Sequence, residues 1–239
     1  MKRVSLLVAC LVAAGGLALT LRAPGSRAAP PLLPAQPRAQ RVSFVEVCGP
    51  GDYESLADMC VRSSTVVVGR VLGIVRVHLS PPNAPSACVG TVITVYRVAV
   101  EQYLRDDGAP HRPAAINVAL LGGVLGGRAY FVENEPGLMP GARYLLFLRV
   151  ARSDIPGMCA GVWGITLRKG ECSPVSRRAV ILLENGRTAA PRDAYQQMRP
   201  WRFEFDSEPL LGIPEAQALQ RVREVLAGAP YRYEPGIDL

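Results

Sequence analysis

From residue 65 the chain reads Thr-Val-Val-Val-Gly-Arg-Val-Leu-Gly-Ile-Val-Arg-Val-His-Leu, ending at residue 79. β-branched residues crowd this stretch and Gly69 and Gly73 interrupt it, which predicts a long bent strand and excludes a helix. The two glycines mark bulges or barrel corners. Residues 91–101 repeat the pattern with a cleaner alternation, placing Val92, Thr94, Tyr96, Val98 and Val100 on one face. Residues 80–86, which hold Pro81, Pro82, Asn83 and Pro85, form the loop that makes these two strands a hairpin. Shorter apolar runs follow at 116–121, 143–150 and 161–168, and 180–183 adds a short strand before the turn at Asn185-Gly186. That is five main strands and a sixth short one. The glycine pairs Gly122-Gly123 and Gly126-Gly127 read as a flexible connection between strands.

Helical periodicity is confined to the two flanks of this β pattern. Asp52 is placed to cap a short helix through Tyr53, Leu56, Ala57 and Met59, with Cys48 and Cys60 on either side. Near the other end, Trp201, Phe203 and Phe205 alternate with Arg202 and Glu204. Pro214 then opens a helix that Gly228 closes, with Leu219, Val222, Val225 and Leu226 as its apolar stripe.

Residues 1–29 have the form of a secretory leader: Met1, Lys2 and Arg3, then 4–21 without a charge, with cleavage expected between Gly25 and Pro30. Two other readings compete. Cys10 follows Leu7-Val8-Ala9 in the manner of a lipobox, which would make the chain a lipoprotein, and the apolar run is just long enough to remain in the bilayer as an uncleaved anchor. All three place the remainder outside the cytoplasm, with a membrane involved only through this amino-terminal segment. Residues 30–45 are Pro- and Ala-rich and read as a tether, 46–190 as the β domain, and 191–239 as a carboxy-terminal extension carrying a strand and the amphipathic helix.

Charge changes the picture once the leader is set aside. The whole chain carries 27 basic against 20 acidic residues, but Lys2, Arg3, Arg22 and Arg27 lie within 1–29, where no acid occurs. The remainder is only about +3, which implies no strongly basic face and argues against a nucleic-acid partner. Lysine occurs only at Lys2 and Lys169, a bias towards arginine that fits a GC-rich bacterial coding sequence.

Five cysteines lie beyond the leader: Cys48, Cys60, Cys88, Cys159 and Cys172. In an oxidising compartment they read as disulfide candidates, two bridges and one remaining thiol, with connectivity left open. A metal site is not indicated, since no Cys-x-x-Cys occurs and His78 and His111 stand far from each other and from the cysteines.

Catalytic signatures are equally sparse. The glycine pairs are followed by no Lys-Ser or Lys-Thr and lack G-x-G-x-x-G spacing, so they are no phosphate cradle. A thiol nucleophile with His78 or His111 lacks any Cys-centred signature, and Glu133, Glu135, Asp106 and Asp107 read as solvated loop charges. Trp163, Trp201, Phe203 and Phe205 suit core packing better than a stacking platform. No catalytic, cofactor-binding or metal-ligating residue is therefore assigned.

One order of features is familiar: a short helix beside a cysteine pair, then Ser64-Thr65-Val66-Val67-Val68-Gly69-Arg70-Val71, then Val100-Glu101-Gln102-Tyr103-Leu104, then Gly122-Gly123, then Pro140-Gly141-Ala142-Arg143-Tyr144-Leu145-Leu146-Phe147-Leu148. It resembles the netrin-like and tissue-inhibitor-of-metalloproteinase-like OB-fold domains, especially their exported bacterial relatives, over residues 46–172. The resemblance implies a mainly β fold, a five-stranded OB-like Greek-key barrel with a short N-terminal helix and a C-terminal helix, and a domain that binds proteins. In the animal inhibitors an amino-terminal cysteine ligates the zinc of the target protease. Cys48 lies inside the expected mature chain, so its nitrogen is an ordinary amide and that mechanism does not carry over. Cys48 and Cys60 remain, on this resemblance, a bridge tying the amino-terminal segment to the barrel. The expectation is an exported, disulfide-containing binding module with a protein or cell-envelope partner, no cofactor and no catalytic activity. The alternatives are a protease inhibitor acting through the 80–87 loop and a hydrolase with an unrecognised site.

Overall fold

Alternation along two long strands builds a barrel wall with two apolar sides. Thr65–Leu79 forms β1 and Val92–Asp106 forms β2, paired antiparallel along their whole length. The structure, a computed structural model, describes residues 55–80, 92–107, 112–130, 136–152, 167–191 and 210–232. β2 continues antiparallel to β3, Ala115–Leu121, which runs parallel to the short β7, Glu171–Pro174. β7 lies antiparallel to β6, Arg143–Val150, and β6 returns antiparallel to β1 over Thr65–Arg70. The order β1-β2-β3-β7-β6-β1 closes a five-stranded OB-like barrel in a mainly β chain, the fold that the resemblance implied and the strand count agreed with.

Closure depends on a strand that the sequence pattern does not reveal. The expected fifth strand, 161–168, falls outside the described residues except for Leu167 and Arg168, and the strand that closes the barrel is Glu171–Pro174. Its four residues, one a proline, are too few to carry a readable period. The expected short strand is present as β8, Val180–Glu184. It turns at Asn185-Gly186 into β9, Arg187–Ala189, and extends the sheet beyond β6.

The glycine-rich connection is also more ordered than expected. Gly123–Leu125 (β4) and Arg128–Tyr130 (β5) pair as a small ribbon. Gly126 and Gly127, with φ of 58° and 75°, form its two-residue turn, a left-handed geometry that glycine adopts without steric cost. The ribbon lies against the hairpin at Thr94, whose Oγ1 donates to Gly122 O at 2.6 Å. A Cβ on Gly123 would stand 2.0 Å from that hydroxyl oxygen, so only glycine allows the approach.

Neighbouring residues on each strand serve opposite sides of the wall. Val67, Val71, Tyr96, Val98, Val118, Leu120, Tyr144, Leu146, Leu148 and Cys172 pack inside the barrel. Val66, Val68, Leu145 and Phe147 face outward and are covered by two helices. The first, α1, spans Leu56–Arg62. Its N-cap is Ser55, with Ser55 Oγ accepting from Asp58 N at 3.1 Å and Asp58 Oδ2 accepting from Ser55 N at 3.1 Å. This reciprocal box takes the place of the expected cap at Asp52, which lies outside the described residues. The second, α2, spans Glu215–Gly228 and follows Pro214 as expected, burying Ala218, Leu219 and Val222 in the same outer cluster. Trp201, Phe203 and Phe205 lie outside the described residues.

Arg105 locks the helices to the barrel. It leaves β2 beneath both helix ends and donates to Cys60 O and Ser63 O of the α1 terminus and to Leu226 O and Ala229 O of the α2 terminus. A buried guanidinium is thus satisfied by carbonyls at two negative dipole ends. Arg143 adds a second tie, reaching both Glu215 oxygens at 3.0 Å and Glu101 at 2.7 Å.

Candidate functional site

The β1–β2 hairpin is longer than the barrel needs, and its far half is where unassigned chemistry gathers. β6 covers the outer edge of β1 only as far as Arg70. Val71 still bonds Ala142 O and Gly141 N, at 2.9 and 2.8 Å, and beyond it no described strand lies on that edge of β1 out to Leu79. Two bulges fall in this stretch. Val71 pairs with Val98 and Gly73 with Arg97, which leaves Leu72 without a cross-strand partner. Ile74 pairs with Tyr96 and Arg76 with Val95, which leaves Val75 without one. The sequence expectation that Gly69 and Gly73 mark bulges is met, as the register also shifts between Val68 and Gly69.

The extra residues are turned out to solvent. Leu72 is 60% exposed, Val75 51% and Ile74 48%, with Leu79 similar further along. Leu72 to Val75 spans about 10 Å of strand. Arg97 of β2 pairs with Gly73, is exposed on the face opposite the Ile74–Tyr96 pair, and donates from NH1 to the neutral Asn117 Oδ1 of β3 at 3.0 Å. No carboxylate of the described residues pairs with it.

Arg76, His78 and, just past the end of the same strand, Ser80 stand at alternate positions, with Arg76 and His78 on the face of their partners Val95 and Ile93. Arg76 grips Glu171 with both terminal nitrogens, NH2 to Oε2 at 2.6 Å, and Arg168 N donates to the same Oε2 at 2.9 Å. Glu171 is only 3% exposed, so these bonds are what make its buried charge tolerable, and they pin β7 to the hairpin. Burial and the Arg76 guanidinium hold the His78 imidazole below its usual 6.5, Glu171 opposing and Arg168 adding to the effect. His78 Nδ1, Ser80 Oγ and Arg76 Nε are buried without a hydrogen-bond partner. A hydroxyl, an imidazole and a carboxylate are therefore neighbours in the fold, but Glu171 is committed to Arg76 and Arg168, and no bond links Ser80 Oγ to His78 Nδ1. In this arrangement no proton relay connects them.

Of the five cysteine candidates, the structure describes two, both as free thiols. Cys60 packs in the outer helix-covered cluster and Cys172 inside the barrel, so the wall separates them. Burial pushes the Cys60 thiol up to about 11, partly offset by Arg105, and the Cys172 thiol up to about 12. Neither is a nucleophile at neutral pH. Cys48, Cys88 and Cys159 lie outside the described residues, as do His111, Glu133, Glu135 and Trp163. The described residues hold no group of His, Cys, Asp and Glu suited to a metal ion, and no helix among them is long and apolar enough to cross a membrane.

Asp106 and Asp107 were expected as solvated turn charges. Asp107 is exposed as expected and stands 3.4 Å from Arg105 Nε, whereas Asp106 ends β2 with its side chain 3% exposed, 3.9 Å from Arg112 Nε. Among the described residues, Glu101, Asp106, Asp107, Glu171 and Glu215 are held in ion pairs with arginine. Leu72, Val75 and Arg97 were not among the residues singled out from sequence. The signal was Gly73 itself, a glycine inside a strand flanked by large aliphatic residues. No protein-family model matches this chain, and no curated protein does.

Proposed function

We propose that this chain is an exported binding module of the netrin-like kind that acts by contact with a protein or cell-envelope partner and needs no cofactor. The observation that carries the reading is the group Leu72, Ile74 and Val75, exposed on a bulged strand edge that no described element covers. Large aliphatic side chains held in water on a rigid strand cost free energy in the isolated chain, and a partner surface recovers it. The leader-like residues 1–29 support export, and the order of motifs that resembles netrin-like domains supports a protein-binding role. Export also favours oxidation of the cysteines beyond the leader, with Cys48, Cys88 and Cys159 supplying partners to Cys60 or Cys172.

A photo-crosslinking amino acid placed at Val75 in the natively exported protein tests the reading, with the same group at exposed Glu224 on α2 as the control. The expected result is a heavier adduct from position 75 and none from 224. Equal adducts from both positions, or none from 75, would remove the reading. Intact-mass measurement of the same material, with and without reduction, reports leader cleavage and bridges.

A further inference from the structure

β7 is the shortest strand of the barrel and the one held by the fewest ladder bonds. It meets β3 through Asn117–Glu171 and Val118–Cys172, a parallel pairing, and β6 through residues 148–150. Its tie to the hairpin is a side-chain clamp, the Arg76 guanidinium on the buried Glu171 carboxylate. The turn before β7 is fixed by Ala151 N donating to Glu171 O and Gly170 N donating to Ala151 O, at 2.8 and 2.7 Å. Ala151 and Leu167, which flank these bonds, share a buried cluster with Ile93, Val95, Ala119 and Leu121 of β2 and β3. Movement of β7 away from the hairpin therefore uncovers that apolar face.

His78 stands beside the clamp. It is two residues from Arg76 on the same face of β1, and its partner on β2 is Ile93 of the apolar cluster. The charges acting on it are Arg76, Glu171 of β7 and Arg168 in the turn before β7. Lys169 of that turn is exposed, and Arg97 of β2 lies further along the same face with its NH1 on Asn117. The β4–β5 ribbon, over the other face, brings Arg128 and no acid. Glu171 is thus the carboxylate of this group, and both its oxygens are already taken by Arg76 and by Arg168 N.

We propose that protonation of His78 breaks the Arg76–Glu171 clamp, so that mild acid opens the barrel between β7 and β3 and bares the face formed by Ile93, Val95, Ala119 and Leu121. An imidazolium here is a third cation sharing one carboxylate, so it either displaces Arg76 from Glu171 or repels it. Linkage gives the same sign: the closed seam holds the imidazole below 6.5, the open seam returns it to water, and protons therefore favour the open form. The device does not depend on the contact at Val75, and either can fail without the other.

Amide hydrogen exchange of the natively exported protein at pH 7.5 and pH 5, corrected for intrinsic rates, tests it. At pH 5 the Ala151 and Gly170 amides are expected to lose protection several-fold and to exchange at rates that low urea leaves unchanged, which is the mark of a local opening. Val71, bonded to Ala142 O beside β6, should exchange more slowly and accelerate with urea. His78→Gln should keep the seam protected at pH 5, and Arg76→Gln should lose that protection already at pH 7.5. Melting temperatures at pH 7.5 verify folding, and should Arg76→Gln not fold, the comparison of wild type with His78→Gln decides alone. The proposal is overturned if seam protection is equal at the two pH values, if Ala151 and Gly170 follow the urea dependence of Val71, or if His78→Gln shows the same acid loss. Intact protection in folded Arg76→Gln at pH 7.5 overturns it as well.

Discussion

His78 shows how one residue's surroundings set a pH response. Its imidazole is partly buried beside Arg76, and both effects favour the neutral form. Because its pKa is lowered in the folded chain, the stability this adds is present above 6.5 and is lost as pH falls through the folded value. Wild type should therefore lose stability between pH 7.5 and pH 5, and His78→Gln should lose less over that window. Urea midpoints at the two pH values measure it, and equal losses would show that other groups carry the acid response. Sequence gave His78 as a lone histidine on a strand. Arg76 is its neighbour on the strand face, but that Glu171 and Arg168 act on it follows from the Arg76–Glu171 bond drawing β7 under the hairpin, a contact between residues far apart in the chain.

At the scale of elements, the helices are held by a residue that belongs to neither. Arg105 lies in β2, and the carbonyls it satisfies end α1 and α2. Its side chain is 8% exposed, so removing the guanidinium strands several carbonyls in a dry site. Arg105→Met should cost about 3 kcal/mol or more. Arg105→Lys should recover only part of that, because an ammonium cannot reach four acceptors with the planar fork of arginine. Chemical denaturation of the three proteins decides the point, and a lysine variant as stable as wild type would reduce the role to bare charge. Both helices were legible as periodic segments, since 3.6-residue spacing is a local feature, although the cap of α1 fell at Ser55 and not at Asp52. Their common anchor was not, because Arg105 reads in sequence as one more charge near a strand end.

For the whole molecule, the question is whether α2 is an appendage. The sequence suggested an extension after residue 190 whose helix packs across the barrel, and Ala218, Leu219 and Val222 share a buried cluster with Val66, Val68, Leu145 and Phe147 of the barrel wall. Ending the chain before Leu210 would bare that side of the wall, and the truncated protein should bind a hydrophobic dye and aggregate. The milder Val222→Ala should cost about 2 kcal/mol with the fold retained. Soluble truncated protein with native near-ultraviolet circular dichroism would mean that the barrel stands without the helix.

What the sequence determined by itself was whatever repeats locally: the two long strands, β3, β6 and β8, the bounds of α2, the turn at Asn185-Gly186, and the glycines that break the register of β1. A period of two or of 3.6 is written in neighbouring residues and survives without any knowledge of the rest of the chain. Tertiary structure alone decided that Glu171–Pro174 closes the barrel, that Cys60 and Cys172 lie on opposite sides of its wall, and that Leu72 and Val75 remain in water while Val66, Val67, Val68, Val71 and Val98 of the same hairpin are buried. Those outcomes depend on register and on which edge finds a partner, and these are set by contacts between segments distant in the chain.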